Sequence, residues 1–206
     1  MALILSLQGC MAVGKTTAVR SLQETSPYIH VSPEDNAAVI EEIRRRGLRK
    51  DVYADYLEIQ RLFLMNEVRR HARVQAYPCT IMDFGAEEIE FYTLNYPRAM
   101  GLCWEVEAPL KAELDAVRRC MPARILYLCA SEETLRQRKA GDASRSRTFF
   151  EIHLTRLMPL KERWFAERGN VDVLRVDDLS RQEMCARVKA WADGCIARTD
   201  SAPKSD

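Results

Sequence analysis

The sequence predicts an α/β layered domain: a parallel β-sheet covered by helices on both faces. Three observations predict it. Five short apolar runs show little polar alternation, segments of helical periodicity separate them, and a glycine-bearing turn follows the first run directly.

The first run, Leu3–Leu7, reads as a buried strand; it has no basic leader and does not resemble a signal peptide. After the turn, TTAVRSL suits a helix, and Tyr28–Val31 is the second strand. Ala37–Arg46 and Tyr56–Val74 follow as helices; in the latter, Leu57, Leu64, Val68 and Ala72 recur at helical intervals while Arg61, Arg69 and Arg73 fall elsewhere. Thr80–Met82 is the third strand, with a helix starting near Ala86. Val106–Met121 reads as a helix that tolerates Pro109 in its first turn. Ile125–Cys129 is the fourth strand and Val171–Val176 the fifth, with a helix over Phe149–Ala166 between them. Gln182–Ile196 is expected to dock as a helix through Val188, Trp191 and Cys195. Residues 1–198 form one domain, and the polar stretch 199–206 is expected to be a disordered tail.

Composition narrows the classes. A length of 206 residues with 47% apolar and 30% charged residues suits one globular core. The net charge of +1, with no basic stripe interleaved with aromatics, gives no expectation of a nucleic-acid partner. No run approaches the roughly 18 apolar residues of a membrane span, so no membrane partner is expected. The seven cysteines are odd in number and none are spaced C-x-x-C, which argues against a disulfide framework or zinc site. A cytoplasmic location is expected.

Gly9-Cys-Met-Ala-Val-Gly-Lys-Thr16 fits G-x-x-x-x-G-K-[ST] throughout. Four fixed positions would match by accident in about one chain in a hundred of this length, and here the motif also lies between a strand and a helix. Gly9 and Gly14 let the backbone approach a polyphosphate closely. The N–H groups of the loop (Ala12, Val13, Gly14) and of the helix start (Lys15, Thr16, Thr17) would then face an anion. Lys15 supplies charge to the β- and γ-phosphates of ATP, and the Thr16 hydroxyl is a ligand for Mg²⁺.

Other P-loop classes fit less well. No N/T-K-x-D guanine motif is present, and Thr80–Asp83 runs into Phe84 rather than a D-E pair. The chain resembles the deoxynucleoside kinase and thymidylate kinase group of P-loop kinases. Four stretches carry the resemblance: the phosphate loop, VSPED (Val31–Asp35), IMDFG (Ile81–Gly85), and the long segment Ile125–Phe165 with its basic stretch 139–148. The resemblance implies a P-loop NTPase three-layer sandwich with five parallel strands in the order 2-3-1-4-5, a lid at about 139–148, ATP-dependent phosphoryl transfer to a nucleoside or nucleotide, and an assembly compatible with a homodimer.

By the same resemblance, Glu34 is the general base or holds the acceptor hydroxyl, with Asp35 as its substitute; a plain helix N-terminal charge is the alternative. Asp83 would hold Mg²⁺ through water or position the acceptor, or else cap the next helix. Arg138, Arg145 and Arg147 would close over the phosphoryl group, guanidinium forks suiting charge spread over several oxygens. Gln60 falls where deoxynucleoside kinases read the base, and is equally an ordinary helix residue. Tyr53, Tyr56 and Phe63 line the acceptor pocket or pack the core. Trp164 is expected to pack. The sequence departs from the group at two places: Phe84 follows Asp83 where an arginine is expected, and Glu67 stands where a basic residue is expected. Those departures leave a sugar or antibiotic kinase, or a non-catalytic ATP-binding module, as alternatives.

Overall fold

The computed structural model describes residues 2–141 and 147–201. Strands β1 (Leu3–Gly9), β2 (His30–Ser32), β3 (Cys79–Asp83), β4 (Arg124–Cys129) and β5 (Val171–Arg175) form one parallel sheet, ordered β2-β3-β1-β4-β5. The register sets Leu7 opposite Asp83 and Gly9 opposite Leu128, so the first strand's end lies centrally on the C-terminal edge of the sheet. Ligands of open α/β sheets bind at that edge.

Alternate side chains leave a strand on opposite faces, and both faces are covered here. Leu5, Leu7, Ile81, Leu126 and Leu128 join one core with Ala18, Val19 and Leu22 of helix α1 (Lys15–Thr25) and Val188, Ala192 and Cys195 of helix α9 (Arg181–Asp200). On the other face, Ile4 and Met82 meet Val74 of α3 (Tyr53–Val74), while Ile125 and Tyr127 meet Phe165 of α8 (Met158–Ala166). A further cluster of Leu64, Ala86, Leu110, Leu114 and Val117 joins α3 to α4 (Ala86–Ala99) and α5 (Lys111–Arg118). Helix α2 (Ala37–Arg46) ends at Gly47, whose φ of 64° suits a left-handed cap. Helix α6 (Glu132–Ala140) starts at Ser131, whose hydroxyl accepts from the Thr134 N–H.

Several boundaries differ from the sequence reading. β2 begins at His30 instead of Tyr28, because the Tyr28 side chain is drawn to α9, donating to Asp193 at 2.7 Å and accepting from Lys189 at 2.7 Å. Of the helix read over Val106–Met121, only Lys111–Arg118 is helical. The Glu105 carboxylate takes the Glu107 and Ala108 N–H groups at 2.9 and 3.1 Å and holds that stretch as a turn. The helix read over Phe149–Ala166 divides into α7 (Arg147–Ile152), a π-helical turn (His153–Leu157) and α8. Pro159 has no N–H to continue the ordinary ladder, and the wider π register accommodates that gap. β5 is an edge strand with Val173 66% exposed, so its burial is less than the apolar run suggests. Helix α9 continues through Thr199 and Asp200, where the sequence reading begins the tail; residues 202–206 lie outside the described residues.

Candidate active site

The phosphate loop leaves β1 with Gly9 at φ 141° and enters α1 from Gly14 at φ 112°. A Cβ at Gly9 would run into the Leu128 carbonyl oxygen of the neighbouring strand, and one at Gly14 would lie 2.8 Å from Met184 Sδ of α9. Ala12 also takes a positive φ, 64°, which costs an L-residue energy and occurs most often at functional sites. Three positive φ values within six residues make this a tightly turned loop.

Lys15 is buried. Its ammonium donates to the Gly9 and Cys10 carbonyls at 3.0 and 2.8 Å, inside the curve of its own loop. Burial lowers its pKa to about 8, with the nearby Lys161 ammonium pushing the same way and Asp83 and Glu88 opposing. Arg138 of α6 clamps the loop from outside: Nη1 donates to the Val13 carbonyl and Nη2 to the Val176 carbonyl, both at 2.9 Å.

The cleft over the loop encloses about 210 Å³ and is lined by Met11, Ala12, Gly14, Lys15, Thr16, Thr17, Glu34, Asp83, Phe84, Arg138 and Lys139. Both carboxylates come from strand ends, Glu34 from beyond β2 and Asp83 from the last position of β3. Asn36 Nδ2 donates to Glu34 Oε1 at 2.7 Å. Helix α4 starts after Gly85, its N-cap residue, two positions beyond Asp83. Asp35 turns away from the cleft toward Arg73, 3.2 Å distant on an exposed face.

A second cavity of about 500 Å³ adjoins the cleft and shares Met11, Glu34 and Phe84 with it. Its remaining walls are Asn36, Lys50, Gln60, Phe63, Glu88, Ile89, Tyr92, Tyr96, Phe149 and His153. Gln60 is fixed there by the Thr93 hydroxyl, which donates to its Oε1 at 2.9 Å. Tyr92 OH and His153 Nδ1 share a 2.9 Å hydrogen bond, joining α4 to the π-helical turn. The cavity is ring-rich with a few fixed polar groups, the usual make-up of a small-molecule site.

A buried charge cluster links the second cavity's wall to the phosphate loop. Lys161 of α8 is fully buried, with Nζ 2.7 Å from Glu88 Oε1, 2.6 Å from Glu88 Oε2 and 3.4 Å from the Gly9 carbonyl oxygen. Burial raises the Glu88 pKa, opposed by Lys161. Below Glu88, Glu87 accepts from the Ser6 hydroxyl, from Gln8 Nε2 at 2.5 Å and from the Gly85 N–H at 3.2 Å, tying the start of α4 to β1.

The residues expected at the site divide clearly. Gly9, Ala12, Val13, Gly14, Lys15, Thr16, Thr17, Glu34, Asp83 and Arg138 come together at the loop and its cleft, and Gln60 and Phe63 line the adjoining cavity. Tyr53 and Tyr56 do not line it: Tyr56 is buried against Tyr96 and Trp104, with its OH donating to the Thr93 carbonyl at 2.9 Å. Trp164 packs on Phe91 and under the Arg168 guanidinium. Arg145 and the side chain of Arg147 lie outside the described residues, as does much of the stretch read as a lid. Sequence reasoning missed Lys50, Glu88, Tyr92, Tyr96, His153 and Lys161; the only local signal is the four-residue spacing of Glu88, Tyr92 and Tyr96 along α4.

Thr16 and Asp83 offer hard oxygen donors on one cleft, a donor set that suits Mg²⁺. The described residues hold no group of three or more His, Cys, Asp or Glu placed to bind a metal unaided. A Mg²⁺ ion here would therefore share its coordination with phosphate oxygens and water.

The sheet order, with its glycine-bearing loop after β1, matches the fold of the P-loop NTPase kinases. Among solved structures, a thymidylate kinase from Candida albicans is similar over 94% of this chain and 92% of its own, with a TM-score of 0.63 and 14% sequence identity. No protein-family model matches the chain, and no curated protein matches it by sequence. At that identity the likeness is one of fold.

Proposed function

We propose that the protein is an ATP-dependent phosphotransferase that moves the γ-phosphoryl group to a small acceptor of the nucleoside or nucleotide class. One observation carries this reading: a phosphate-loop cleft and a ring-lined cavity meet at Glu34 and Phe84. Donor and acceptor bound in the two spaces would face each other across a carboxylate. The thymidylate kinase likeness in fold supports the nucleotide class of donor and acceptor.

In this reading, the N–H groups of residues 12–17 bind the donor phosphates, and the Lys15 ammonium exchanges its two carbonyl partners for phosphate oxygens. Mg²⁺, when bound beside Thr16 and Asp83, neutralises charge on those phosphates. Arg138 holds the loop's shape through the Val13 carbonyl and stands at the cleft, where its charge opposes the developing negative charge. The acceptor's hydroxyl or phosphate oxygen attacks the γ-phosphorus, the bond to the β–γ bridging oxygen breaks, and ADP leaves. With a hydroxyl acceptor, its proton passes to Glu34 or Asp83; an ionised phosphate acceptor has none to give up. Gln60 and the surrounding rings orient the acceptor.

The test is ADP release measured with Mg²⁺ and a panel of nucleosides, nucleotides, sugars and aminoglycosides. Turnover that needs a nucleoside or nucleotide, and disappears in Lys15→Ala, is the expected result. Hydrolysis indifferent to every acceptor would overturn it.

A further inference from the structure

One guanidinium holds together the two strand ends that carry the cleft's carboxylates. Arg70 lies on α3 with 4% of its side chain exposed. Its Nη1 donates to the Pro33 carbonyl at 2.9 Å and to the Asp83 carbonyl at 3.4 Å, and its Nη2 donates to the Phe84 carbonyl. Glu67, one helical turn earlier, completes the arrangement, with Oε2 3.0 Å from Nε and Oε1 3.2 Å from Nη2.

These three carbonyls stand where the strands end: β2 stops at Ser32 and β3 at Asp83. Buried carbonyls need donors once the ladder stops. A planar guanidinium supplies several in a fixed fork, which an ammonium on a flexible stem does not. The partners are placed with consequence. Pro33 precedes Glu34 directly. Phe84 sits at φ 58°, a left-handed conformation that persists in an aromatic residue only when its surroundings over-determine it. Its N–H reaches the Leu7 carbonyl at 3.4 Å, so Arg70 and β1 grip the Phe84 peptide groups from two sides.

We propose that Arg70, oriented by Glu67, is a positioning residue for phosphoryl transfer: it sets the spacing of Glu34 and Asp83 and fixes the Phe84 kink that turns the ring toward Lys15. This rests on the cleft being the phosphoryl-transfer site. Arg70 itself is buried behind the strand ends, and its effect passes entirely through the backbone it holds.

The experiment compares the full chain with Arg70→Met and Arg70→Lys by amide hydrogen exchange and by steady-state kinetics. Peptides covering 33–36 and 83–86 are expected to exchange about tenfold faster together in both variants, while 9–17 stays unchanged. The kcat is expected to fall about a hundredfold, with KM for ATP within about threefold, the pattern of a displaced catalytic group and an intact donor site. Unaltered exchange at the two strand ends would overturn the proposal, as would a kcat within about twofold of the unmodified protein. If the unmodified protein shows no acceptor-dependent turnover, the phosphotransferase reading fails and the claim that Arg70 sets catalytic spacing fails with it; exchange then reports only whether the staple exists. Should Arg70→Met not fold, Glu67→Gln carries the test: faster exchange at both strand ends supports the proposal, and unchanged exchange overturns it.

Discussion

The Lys15 ammonium lies 4.4 Å from the centre of the Phe84 ring, and Lys161 faces the same ring from 5.1 Å. An aromatic face attracts cations through its quadrupole, most strongly away from water. Phe84 therefore lets two buried ammonium groups lie close together beside the phosphate loop. An arginine there, as the family resemblance expects, would add a third positive charge.

That crowding makes nucleotide binding pH-dependent. Lys15 has a pKa of about 8 in the free protein, lowered chiefly by burial and then by Lys161; bound phosphate favours its charged form and raises that value. Binding of a non-hydrolysable ATP analogue should then take up protons near pH 8. Affinity should be full below about pH 7 and fall by up to about tenfold per pH unit above 8. Calorimetry in buffers of different ionisation enthalpy measures both; a flat profile from pH 7 to 9.5 would contradict it. The unliganded protein shows the opposite trend from this group. The unfolded chain, with Lys15 near 10.5, binds the extra proton between pH 8 and 10.5, so stability rises across that window.

The two loop glycines should differ when replaced. A methyl at Gly14 meets the Met184 thioether, which can swing aside, whereas a methyl at Gly9 meets the Leu128 backbone, which cannot. Gly14→Ala should cost about 1–2 kcal/mol, mostly from its positive φ. Gly9→Ala should cost more than about 3 kcal/mol, or prevent folding. Urea denaturation with circular dichroism ranks them, and equal losses would show that the Leu128 contact is not what restricts Gly9.

Lys161 and Glu88 should behave as a coupled pair. Lys161→Met or Glu88→Leu alone leaves a buried group without its partner and should destabilise by about 3–5 kcal/mol. The double change Lys161→Met with Glu88→Leu should recover most of that loss. A double-mutant cycle in denaturant that comes out additive would rule out the coupling.

Replacing Phe84 by leucine keeps apolar bulk and removes the ring face. Stability should fall by about 1–2 kcal/mol as two cation–ring contacts disappear. In Lys15→Met with Phe84→Leu the penalty should shrink, because one of the cations is already gone. Chemical denaturation of the four proteins settles it; an undiminished penalty would assign the loss to packing alone.

The sheet was legible because each strand's apolar run is local, and the phosphate loop because its motif spans eight consecutive residues. Boundaries were less legible, since remote partners set them: Asp193 and Lys189 draw Tyr28 out of β2, and the Glu105 carboxylate holds a turn where Val106 seemed to begin a helix. The second cavity was nearly invisible. Its walls come from the loop after β2, from Lys50, α3, α4, α7 and the π-helical turn, with no shared spacing along the chain. Arg70 and Lys161 read as ordinary charges on helices, and only tertiary packing reveals that both are buried and paired with carboxylates.

Met184 touches the place where Gly14 bends. The turn nearest the start of the chain is thus backed by a side chain from the last described helix, and Cys185 beside it reaches the Thr17 carbonyl at 4.0 Å. During synthesis, residues 9–16 emerge about 170 residues before the 180s, and must wait for that backing to arrive. Such long-range closure is slow. A nascent chain would carry the complete motif for some time without its finished shape, gaining the loop's final form only once α9 has been made.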